Sequence, residues 1–420
     1  MMLNQQLDYS FGVNAFGHVS GEYGMGQAIR STIRAMETAK IPFVIRDFKV
    51  KWHRNLDNSY TEFSNQNPYP INLIHINPSK LLDSIEPEYF KNKYNIGFWA
   101  WELLECPQAW YSEFDLFDEI WTYSNYAASA LALASPIPIF KMPLTIYLPK
   151  PIIGRKDLGL PQSKFIFLFM FDFRSTFARK NPLAVVKAFK KAFGDSRDVM
   201  LILKFSNADA FPKKFAELLK NIDNDKSIYT INKHLMKEEI NGLINSCNCY
   251  ISLHRAEGFG LTMAEAMFYG KPVISTGYSS NIEFMNVNNS FLVKYKLIKN
   301  PQDEGPYPKG CVWADPDIDH AAFLMKYVFE NYEESQKIGK RAALDIRSIL
   351  GDQAIGDRIK NRIDYIMAKI NQSGSDYHIH QLKAEREGLI QQLQAWKETG
   401  KQTQTQLVKI RSQLNKLSMN

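Results

Sequence analysis

The chain has 420 residues, too many for one typical hydrophobic core and enough for two domains with an extension. Hydrophobic residues make up 45% and aromatic residues 13%, which excludes a globally disordered protein. The net charge of +7 is uneven, with 12 basic and 15 acidic side chains in residues 1–150 against 32 and 25 in residues 151–370. The basic second half suits a domain that holds an anionic group, but its charge is too dilute for a nucleic-acid-binding surface.

The cysteines and the ends of the chain indicate a cytoplasmic protein. Cys247 and Cys249 lie two apart on one predicted strand, too close to bridge, and no second pair accompanies them as a zinc site requires. Buried, reduced thiols are therefore expected. Met1–Asp8 lacks the basic start and apolar run of a signal peptide, and no stretch approaches the length of a membrane span.

A glycine-rich segment and a helix form the first predicted unit. Glycines recur between residues 11 and 26, and apolar residues at helical spacing predict a helix from about Gln27 to Lys40. A short strand follows at residues 43–46 and completes half of a Rossmann pattern. Its glycines do not have the spacing of the dinucleotide fingerprint. The loop either faces a ligand or forms a tight turn for helix packing.

Three more strands and a proline cluster complete the first half. The strands lie at residues 71–77, from Tyr94 into a loop by Glu102, and at 119–123. His75 alternates with apolar neighbours, which favours a satisfied core histidine over a catalytic one. A helix capped near Ser124 or Asn125 follows the last strand. Five prolines between residues 136 and 151 suit a domain connection, so the boundary is placed near 150.

The second half begins with residues 165–171, an apolar run typical of a strand buried on both faces. A loop rich in basic residues follows, and Pro182 is expected to start a helix with Asn181 as its cap. Later strands are predicted at residues 199–204 and 228–231, with a helix at 237–246. These alternating strands and helices predict a second α/β domain.

The most informative stretch runs from residue 249 to 285. It predicts a strand at 249–253, a tight turn at 257–260, a helix at 261–269 and another strand from 271. Glycines in the turn allow positive φ and close approach of the backbone to a ligand. A helix that starts after such a turn presents unpaired N–H groups, which suit a phosphate.

Two carboxylates frame this turn. Glu257 lies in the turn and Glu265 lies eight residues later, about two helical turns along. Both are expected to face the crevice at the carboxyl ends of the strands, where open α/β sheets bind ligands. An ionised carboxylate only accepts hydrogen bonds and suits paired hydroxyls. Phosphate between two sets of hydroxyls describes a sugar nucleotide.

Glu257 and Glu265, with the intervening Gly-Phe-Gly-Leu, resemble the E-x7-E motif of the large retaining glycosyltransferase family 4. The likeness continues through residues 271–274 and more loosely over residues 10–370. It implies an α/β protein with the GT-B fold, two Rossmann-like domains facing across a cleft. It also implies a glycosyltransferase that moves a sugar from a nucleoside-diphosphate sugar to a hydroxyl acceptor with retained anomeric configuration.

The resemblance also implies roles for residues of the second domain. Glu257 would orient hydroxyls of the donor and Glu265 would hold its ribose. An arginine and a lysine six apart contact the diphosphate in this family, and Arg174 and Lys180 match them, with Arg179 as the alternative to Arg174. The N–H groups of the turn and helix start would also bind the diphosphate; they belong to Gly258, Phe259, Gly260, Leu261 and Thr262. His234 is either a contact to the base or a solvated loop residue.

On the first domain, the family's glycine loop lies across the cleft from the donor and contacts the diphosphate or the acceptor. The resemblance assigns this contact to Gly24 and Gly26. Many members have a histidine after the strand that ends near residue 99. This chain has Trp99-Ala100-Trp101-Glu102 there instead, so Glu102 is expected to replace the histidine as a sugar contact. The two tryptophans either stack on the sugar or belong to the core.

The chemistry expected from the resemblance is departure of the diphosphate, with Lys180 and Arg174 stabilising the charge that develops on it. No carboxylate is placed as a covalent nucleophile, and front-side attack is the family's usual proposal. Neither a metal nor a cofactor is expected. Residues 315–317, Asp-Pro-Asp, could suggest a metal-binding Asp-x-Asp, but an acidic helix N-terminus is favoured. A sugar-nucleotide hydrolase or epimerase and a catalytically silent scaffold are the alternative functions.

The expected segments are an acceptor-side domain at 1–150, a donor-binding domain at 151–335, helices returning to the first domain at 336–370 and a tail at 371–420. Apolar residues at heptad spacing in 379–417 favour a coiled coil that associates with another copy, with membrane-surface binding as the alternative. The cytoplasmic location could thus include a peripheral position at the inner membrane face. Three classes of acceptor stay open, namely a growing polysaccharide, a lipid-linked glycan and a protein. The expected context is bacterial-type polysaccharide or glycoconjugate synthesis.

Overall fold

The computed structural model describes residues 11–50, 54–78, 85–194 and 196–372. The predicted coiled coil at 379–417 lies outside these residues. The described part contains two six-stranded sheets, each built from its own half of the chain. The prediction of two α/β domains is therefore confirmed.

The first sheet is entirely parallel, with strand order β2-β1-β3-β4-β5-β6. Its strands are β1 (Val13–Gly17), β2 (Phe43–Asp47), β3 (Ile71–His75), β4 (Tyr94–Trp99), β5 (Glu119–Thr122) and β6 (Ile139–Lys141). Its helices are α1 (Gly24–Thr38) and α2 (Asn125–Ala132), with 3-10 turns at Pro87–Tyr89 and Gln108–Leu116. The strands β1 and β3 are buried along their whole length, as expected for parallel strands covered on both faces.

The start of α1 and the cap of α2 both bear on predictions made from the sequence. The first helix begins at Gly24, three residues before the predicted start at Gln27. The side chain of Ser124 caps α2, because its hydroxyl accepts a hydrogen bond from the backbone N–H of Ala127 at 3.1 Å. The predicted cap is therefore confirmed.

The second sheet is also parallel, with strand order β12-β11-β10-β7-β8-β9. Its strands are β7 (Phe165–Asp172), β8 (Val199–Ser206), β9 (Ile228–Asn232), β10 (Cys249–Ser252), β11 (Val273–Thr276) and β12 (Phe291–Val293). Its helices are α3 (Phe177–Lys180), α4 (Pro182–Phe193), α5 (Pro212–Ile222), α6 (Lys237–Ser246) and α7 (Leu261–Phe268), followed later by α8 (Ile318–Glu330). Pro182 starts α4 as predicted, but Asn181 donates its side-chain amide to the carbonyl of Leu253 at 2.9 Å and does not cap the helix.

An antiparallel hairpin lies outside both sheets. It consists of β13 (Tyr295–Lys299) and β14 (Val312–Pro316), joined by residues 300–311. The sequence pattern does not predict this hairpin, because prolines, glycines and charged residues in the stretch are typical of an irregular loop. The connecting loop reaches the first domain, as described below.

Two long helices end the described chain. The first is α9 (Tyr332–Leu350), which packs on α7, and the second is α10 (Asp352–Gln372), which packs on α1 of the first domain. Arg362 on α10 reaches the fully buried carboxylate of Glu119 on β5. The chain therefore crosses between the domains twice, once after β6 and once between α9 and α10.

Candidate functional site

The candidate site lies where β7 and β10 end and face the first domain. The loop after β10 leads into α7 through Gly260, which has φ of +99°, so the predicted positive φ is confirmed. Gly258 packs against the first domain. A Cβ atom there would lie 3.0 Å from the carbonyl oxygen of Trp101, so this glycine allows the backbones of the two domains to approach each other.

Glu257 is buried and held by two cations. Its Oε1 accepts a hydrogen bond from Lys180 Nζ, and its Oε2 lies 3.3 Å from Arg179 Nη1. Burial alone would raise the pKa of this carboxyl, but the charges of Lys180 and then Arg179 lower it to about 2. Glu257 is thus a carboxylate at neutral pH, and burial lowers the pKa of its partner Lys180.

Arg179, not Arg174, is the arginine of this cluster. Arg179 is buried, and its guanidinium donates to the carbonyls of Ala256 at 2.9 Å and Ser175 at 3.1 Å. The side chain of Arg174 is exposed on a 3-10 turn. Thr176, with φ of +66°, lies between them at the N-terminus of the short helix α3. Of the two arginines, the structure brings Arg179 to Glu257, and the diphosphate contact of Arg174 or its alternative Arg179 stays a prediction.

Glu102 joins the cluster from the first domain. Its Oε2 accepts a hydrogen bond from the hydroxyl of Tyr307 at 3.1 Å, and its Oε1 lies 3.9 Å from Arg179 Nη2. The structure thus brings Glu102, Glu257, Arg179 and Lys180 together as predicted from the motifs. We call these four residues the charged cluster.

The two tryptophans beside Glu102 do not line the cleft. Trp99 is 0% and Trp101 4% exposed. Trp99 packs on Phe114 and Trp101 on Trp110, with ring centroids 4.9 and 5.0 Å apart. The predicted stacking on a sugar is therefore corrected, and the core alternative holds because both faces of this strand end are covered.

Glu265 differs from Glu257 in having no cation bound to it. The described residues provide its carboxyl with no hydrogen bond or ion pair. Burial raises its pKa to about 7, and Lys237 offsets this only in part. The carboxyl of Glu265 is thus desolvated and could accept a hydrogen bond from a ligand.

The start of α7 offers backbone groups to the cleft, while its side chains pack inward. Phe259 is 7% exposed and lies between Tyr123 and Phe284, with ring centroids 6.4 and 5.5 Å away. Leu261 packs against the core, and the hydroxyl of Thr262 bonds that of Tyr250. The predicted contact of Phe259 with the diphosphate uses its backbone N–H group and stays a prediction. Among the described residues, no side chain caps α7, so the first N–H groups of the helix remain for an anion.

The glycine loop of the first domain was expected either to face a ligand or to form a tight turn for helix packing. A Cβ atom on Gly26 would lie 2.0 Å from the carbonyl oxygen of Gly21, so this glycine serves packing of α1 against its own loop. Gly24 is exposed with nothing within 4 Å of its Cβ position, at a helix start without a side-chain cap. Gly24 is therefore accessible to a ligand, and the contacts predicted for both glycines stay predictions.

Two buried residues near the site, His254 and Lys204, are not identified by the sequence patterns. His254, buried beside the motif, bonds Ser252 Oγ at 3.2 Å and Asn281 Oδ1 at 3.1 Å and so supports the loop of Glu257. His75 is buried as predicted, but neither ring nitrogen has a partner among the described residues, so it is not satisfied. Lys204 on β8 is largely buried beside Asp172, and burial lowers its pKa. A lysine inside an apolar strand was the signal for it. His234 is exposed.

The aspartates of residues 315–317 serve structure. Asp317 Oδ1 accepts hydrogen bonds from the N–H groups of Asp319 and His320 at 2.9 and 3.0 Å, which confirms the helix-cap interpretation. Asp315 pairs with Arg255 at 2.9 Å. Across residues 11–372, within the described ranges, no group of three or more His, Cys, Asp or Glu side chains could hold a metal ion.

No helix in the described ranges is both long and apolar enough to cross a membrane.

Comparison with known proteins supports the same architecture. Residues 153–345 match the family model described as glycosyl transferases group 1. No curated protein sequence matches the chain.

Three solved structures resemble the whole two-domain body. The Anabaena protein Alr3699/HepE in complex with UDP and glucose is 14% identical, covers 85% of this chain and 100% of its own, and has a TM-score of 0.64. Sucrose-phosphate synthase from Thermosynechococcus elongatus is 14% identical with the same coverage and a TM-score of 0.62. A glycosyltransferase from Rickettsia africae is 14% identical, covers 86% of this chain and 99% of its own, and has a TM-score of 0.60. This chain therefore has the GT-B fold.

Proposed function

We propose that this chain, whose residues 153–345 match glycosyl transferases group 1, moves a sugar from a nucleoside-diphosphate sugar to a hydroxyl acceptor. We further propose that the anomeric configuration is retained and that no metal takes part. The observation that carries the proposal is the arrangement around α7. A fixed carboxylate, the N–H groups of an uncapped helix start and a carboxyl without a partner among the described residues follow one another along a single loop and helix. The cation Lys180 reaches the fixed carboxylate from α3.

Each of these groups matches one part of such a donor. The uncapped start of α7 and Lys180 suit the diphosphate, because both present positive charge to the cleft. Glu265, one turn further along the helix, suits the ribose hydroxyls, which donate to a carboxylate. Glu257 and Glu102 lie on the other side of the phosphate position and suit the hydroxyls of the sugar.

The barrier to transfer is departure of the nucleoside diphosphate, on which negative charge develops. Lys180 and the N–H groups at the start of α7 would stabilise that charge more in the transition state than in the ground state. Glu257 is bound by Lys180 and Arg179, which suits an orienting carboxylate better than a nucleophile. Attack by the acceptor hydroxyl from the face of the departing diphosphate is therefore proposed, with retention as its outcome.

A panel of nucleoside diphosphates and their sugars in a thermal-shift assay tests the proposal. Because binding to the folded state alone stabilises it, a true ligand at 100 times its Kd is expected to add about 2.7 kcal/mol. UDP and UDP-glucose are the first ligands to use, since a structural relative was solved with UDP and glucose. A panel in which no nucleotide raises Tm would contradict the proposal.

Binding of the best nucleoside diphosphate is expected to tighten about tenfold from pH 6 to pH 8. Glu265 has a pKa of about 7, and its ionised form is the better acceptor for ribose hydroxyls. If only that form binds, ionisation from roughly a tenth to nine tenths over this range gives that factor. Binding to the ionised form lowers the pKa of Glu265 from this raised value and releases a proton. Isothermal titration calorimetry in two buffers measures both effects.

The variant Glu265→Gln is the control, because the ligand's own phosphate ionisation affects both proteins equally. Its affinity is expected to change much less over the same range. An equal pH dependence in both proteins would exclude Glu265 as the titrating group.

A further inference from the structure

The hairpin of β13 and β14 extends from the second domain to the first through an ordered turn. Within residues 300–311, Glu304 and Tyr307 exchange two backbone hydrogen bonds of 2.9 and 3.1 Å. Gly305 inside this turn has φ of +61°. Glu304 also lies 3.8 Å from Lys214 on α5. These contacts anchor the tip of the hairpin, so the position of Tyr307 is defined by the fold.

Tyr307 is the residue that this turn delivers to the domain interface. It is 3% exposed, and its ring lies 5.8 Å from that of Trp101 and 6.3 Å from that of Trp313. The guanidinium of Arg179 lies 5.8 Å from the ring centroid, within the range of a cation–π interaction. Burial raises the pKa of the phenol well above its ordinary value, so the hydroxyl keeps its proton and can only donate to a carboxylate.

The hydroxyl of Tyr307 donates its hydrogen bond to Oε2 of Glu102 at an oxygen–oxygen distance of 3.1 Å. Glu102 belongs to the first domain, and the groups that hold it, Tyr307 and Arg179, belong to the second. Arg179 also holds Glu257, so the two carboxylates lie on either side of one guanidinium. Without the tyrosine hydroxyl, Glu102 would be free to shorten its 3.9 Å separation from Arg179 and compete with Glu257 for that cation.

We propose that Tyr307 is a positioning residue that orients Glu102 for recognition of the sugar moiety of the donor. The inference rests on the proposed function. The groups suited to the nucleotide, namely Lys180, the start of α7 and Glu265, all belong to the second domain. Glu102 lies beyond Glu257, where hydroxyls of the sugar would be its donors. Fixing Oε2 of Glu102 holds Oε1 at its 3.9 Å separation from Arg179, where it can accept hydrogen bonds from those hydroxyls. Tyr307 thus contributes to sugar specificity without contacting the donor.

The test uses the full chain and the variant Tyr307→Phe, which removes one oxygen and keeps the ring against Trp101 and Arg179. The Kd of the nucleoside diphosphate is expected to stay within about twofold of that of the parent protein. The Kd of the corresponding nucleotide sugar is expected to rise about tenfold, the scale of one lost hydrogen bond to a charged group. Tyr295→Phe, on the exposed strand of the same hairpin, is the matched control and is expected to change neither value.

A second variant links the effect to Glu102. Glu102→Gln is expected to show the same selective loss, and adding Tyr307→Phe to it is expected to weaken binding by less than a further twofold. Equal weakening of both ligands by Tyr307→Phe would show a merely structural hairpin and overturn the inference, as would no change in either ligand. If the parent protein bound no nucleoside diphosphate, the proposed function itself would fail, and the inference with it.

Discussion

The variant Lys180→Ala is expected to lower kcat/KM for sugar transfer by about 10²–10³-fold, as removal of one charge-stabilising group does in other enzymes. In the unliganded protein the ammonium of Lys180 is bound to Glu257, a carboxylate whose pKa is about 2. On departure of the diphosphate, the same ammonium would face the charge that develops there. Most of the loss is therefore expected in kcat, because the interaction strengthens as the leaving group separates.

Initial rates with the donor identified by the thermal-shift panel measure this effect. Lys187→Ala is the control, since Lys187 is exposed on α4 close by in the chain. Glu257 keeps Arg179 as a partner in the Lys180 variant, so its carboxylate does not remain unpaired and the fold is expected to persist. A folded Lys180→Ala protein that transferred sugar at the parental rate would exclude Lys180 from the chemistry. The double variant with Glu257→Gln is expected to lose little more than the worse single one.

The variant Arg362→Met is expected to destabilise the first domain by about 3–5 kcal/mol, the usual effect of breaking a buried ion pair on one side. Glu119 is 0% exposed, and Arg362 is its only cationic partner among the described residues. The indole of Trp121 at 2.6 Å and the hydroxyl of Tyr94 at 2.9 Å remain as donors, but neither carries charge. Urea denaturation followed by tryptophan fluorescence measures the loss, since Trp99, Trp110 and Trp121 lie in this domain.

The pH dependence of that loss identifies its cause. Without Arg362, the buried carboxylate of Glu119 has no cationic partner, and that cost is absent when the carboxyl is neutral. The deficit relative to the parent protein is therefore expected to be largest at neutral pH and smaller in acid. Arg358→Met, one turn earlier on the exposed side of α10, is the control. A deficit independent of pH would indicate lost packing on Phe140, whose ring lies 3.8 Å from the Arg362 guanidinium.

The sequence predicted the parts of the site that depend on local patterns. The turn and helix at residues 257–268 follow from glycine spacing and apolar periodicity. Glu257 and Lys180 meet because each follows a strand of the same parallel sheet, and the carboxyl ends of such strands lie at one edge. The β7 strand was recognised from a continuous apolar run.

The features that the sequence did not predict are contacts that no local pattern encodes. Phe259 packs between Tyr123 of one domain and Phe284 of the other, and a phenylalanine between two glycines does not indicate such partners. The pairing of Glu257 with Arg179 likewise depends on how the chain folds after β7. The hairpin that carries Tyr307 pairs residues in register across an irregular loop, and its burial depends on the other domain. Tertiary packing decided each case.

The two crossings of the chain between the domains are themselves bonded to each other. The N–H of Ile146, on the first crossing, donates to the carbonyl of Leu350, on the second, at 2.7 Å. Arg34 ties both to α1, through Thr145 Oγ1 at 2.6 Å and Asp352 at 3.0 Å. Sliding of one domain past the other would break these bonds, whereas rotation about an axis through them would not. We therefore expect the bonded crossings to serve as a hinge, and parting of the two halves about it would break the hydrogen bond between Tyr307 and Glu102.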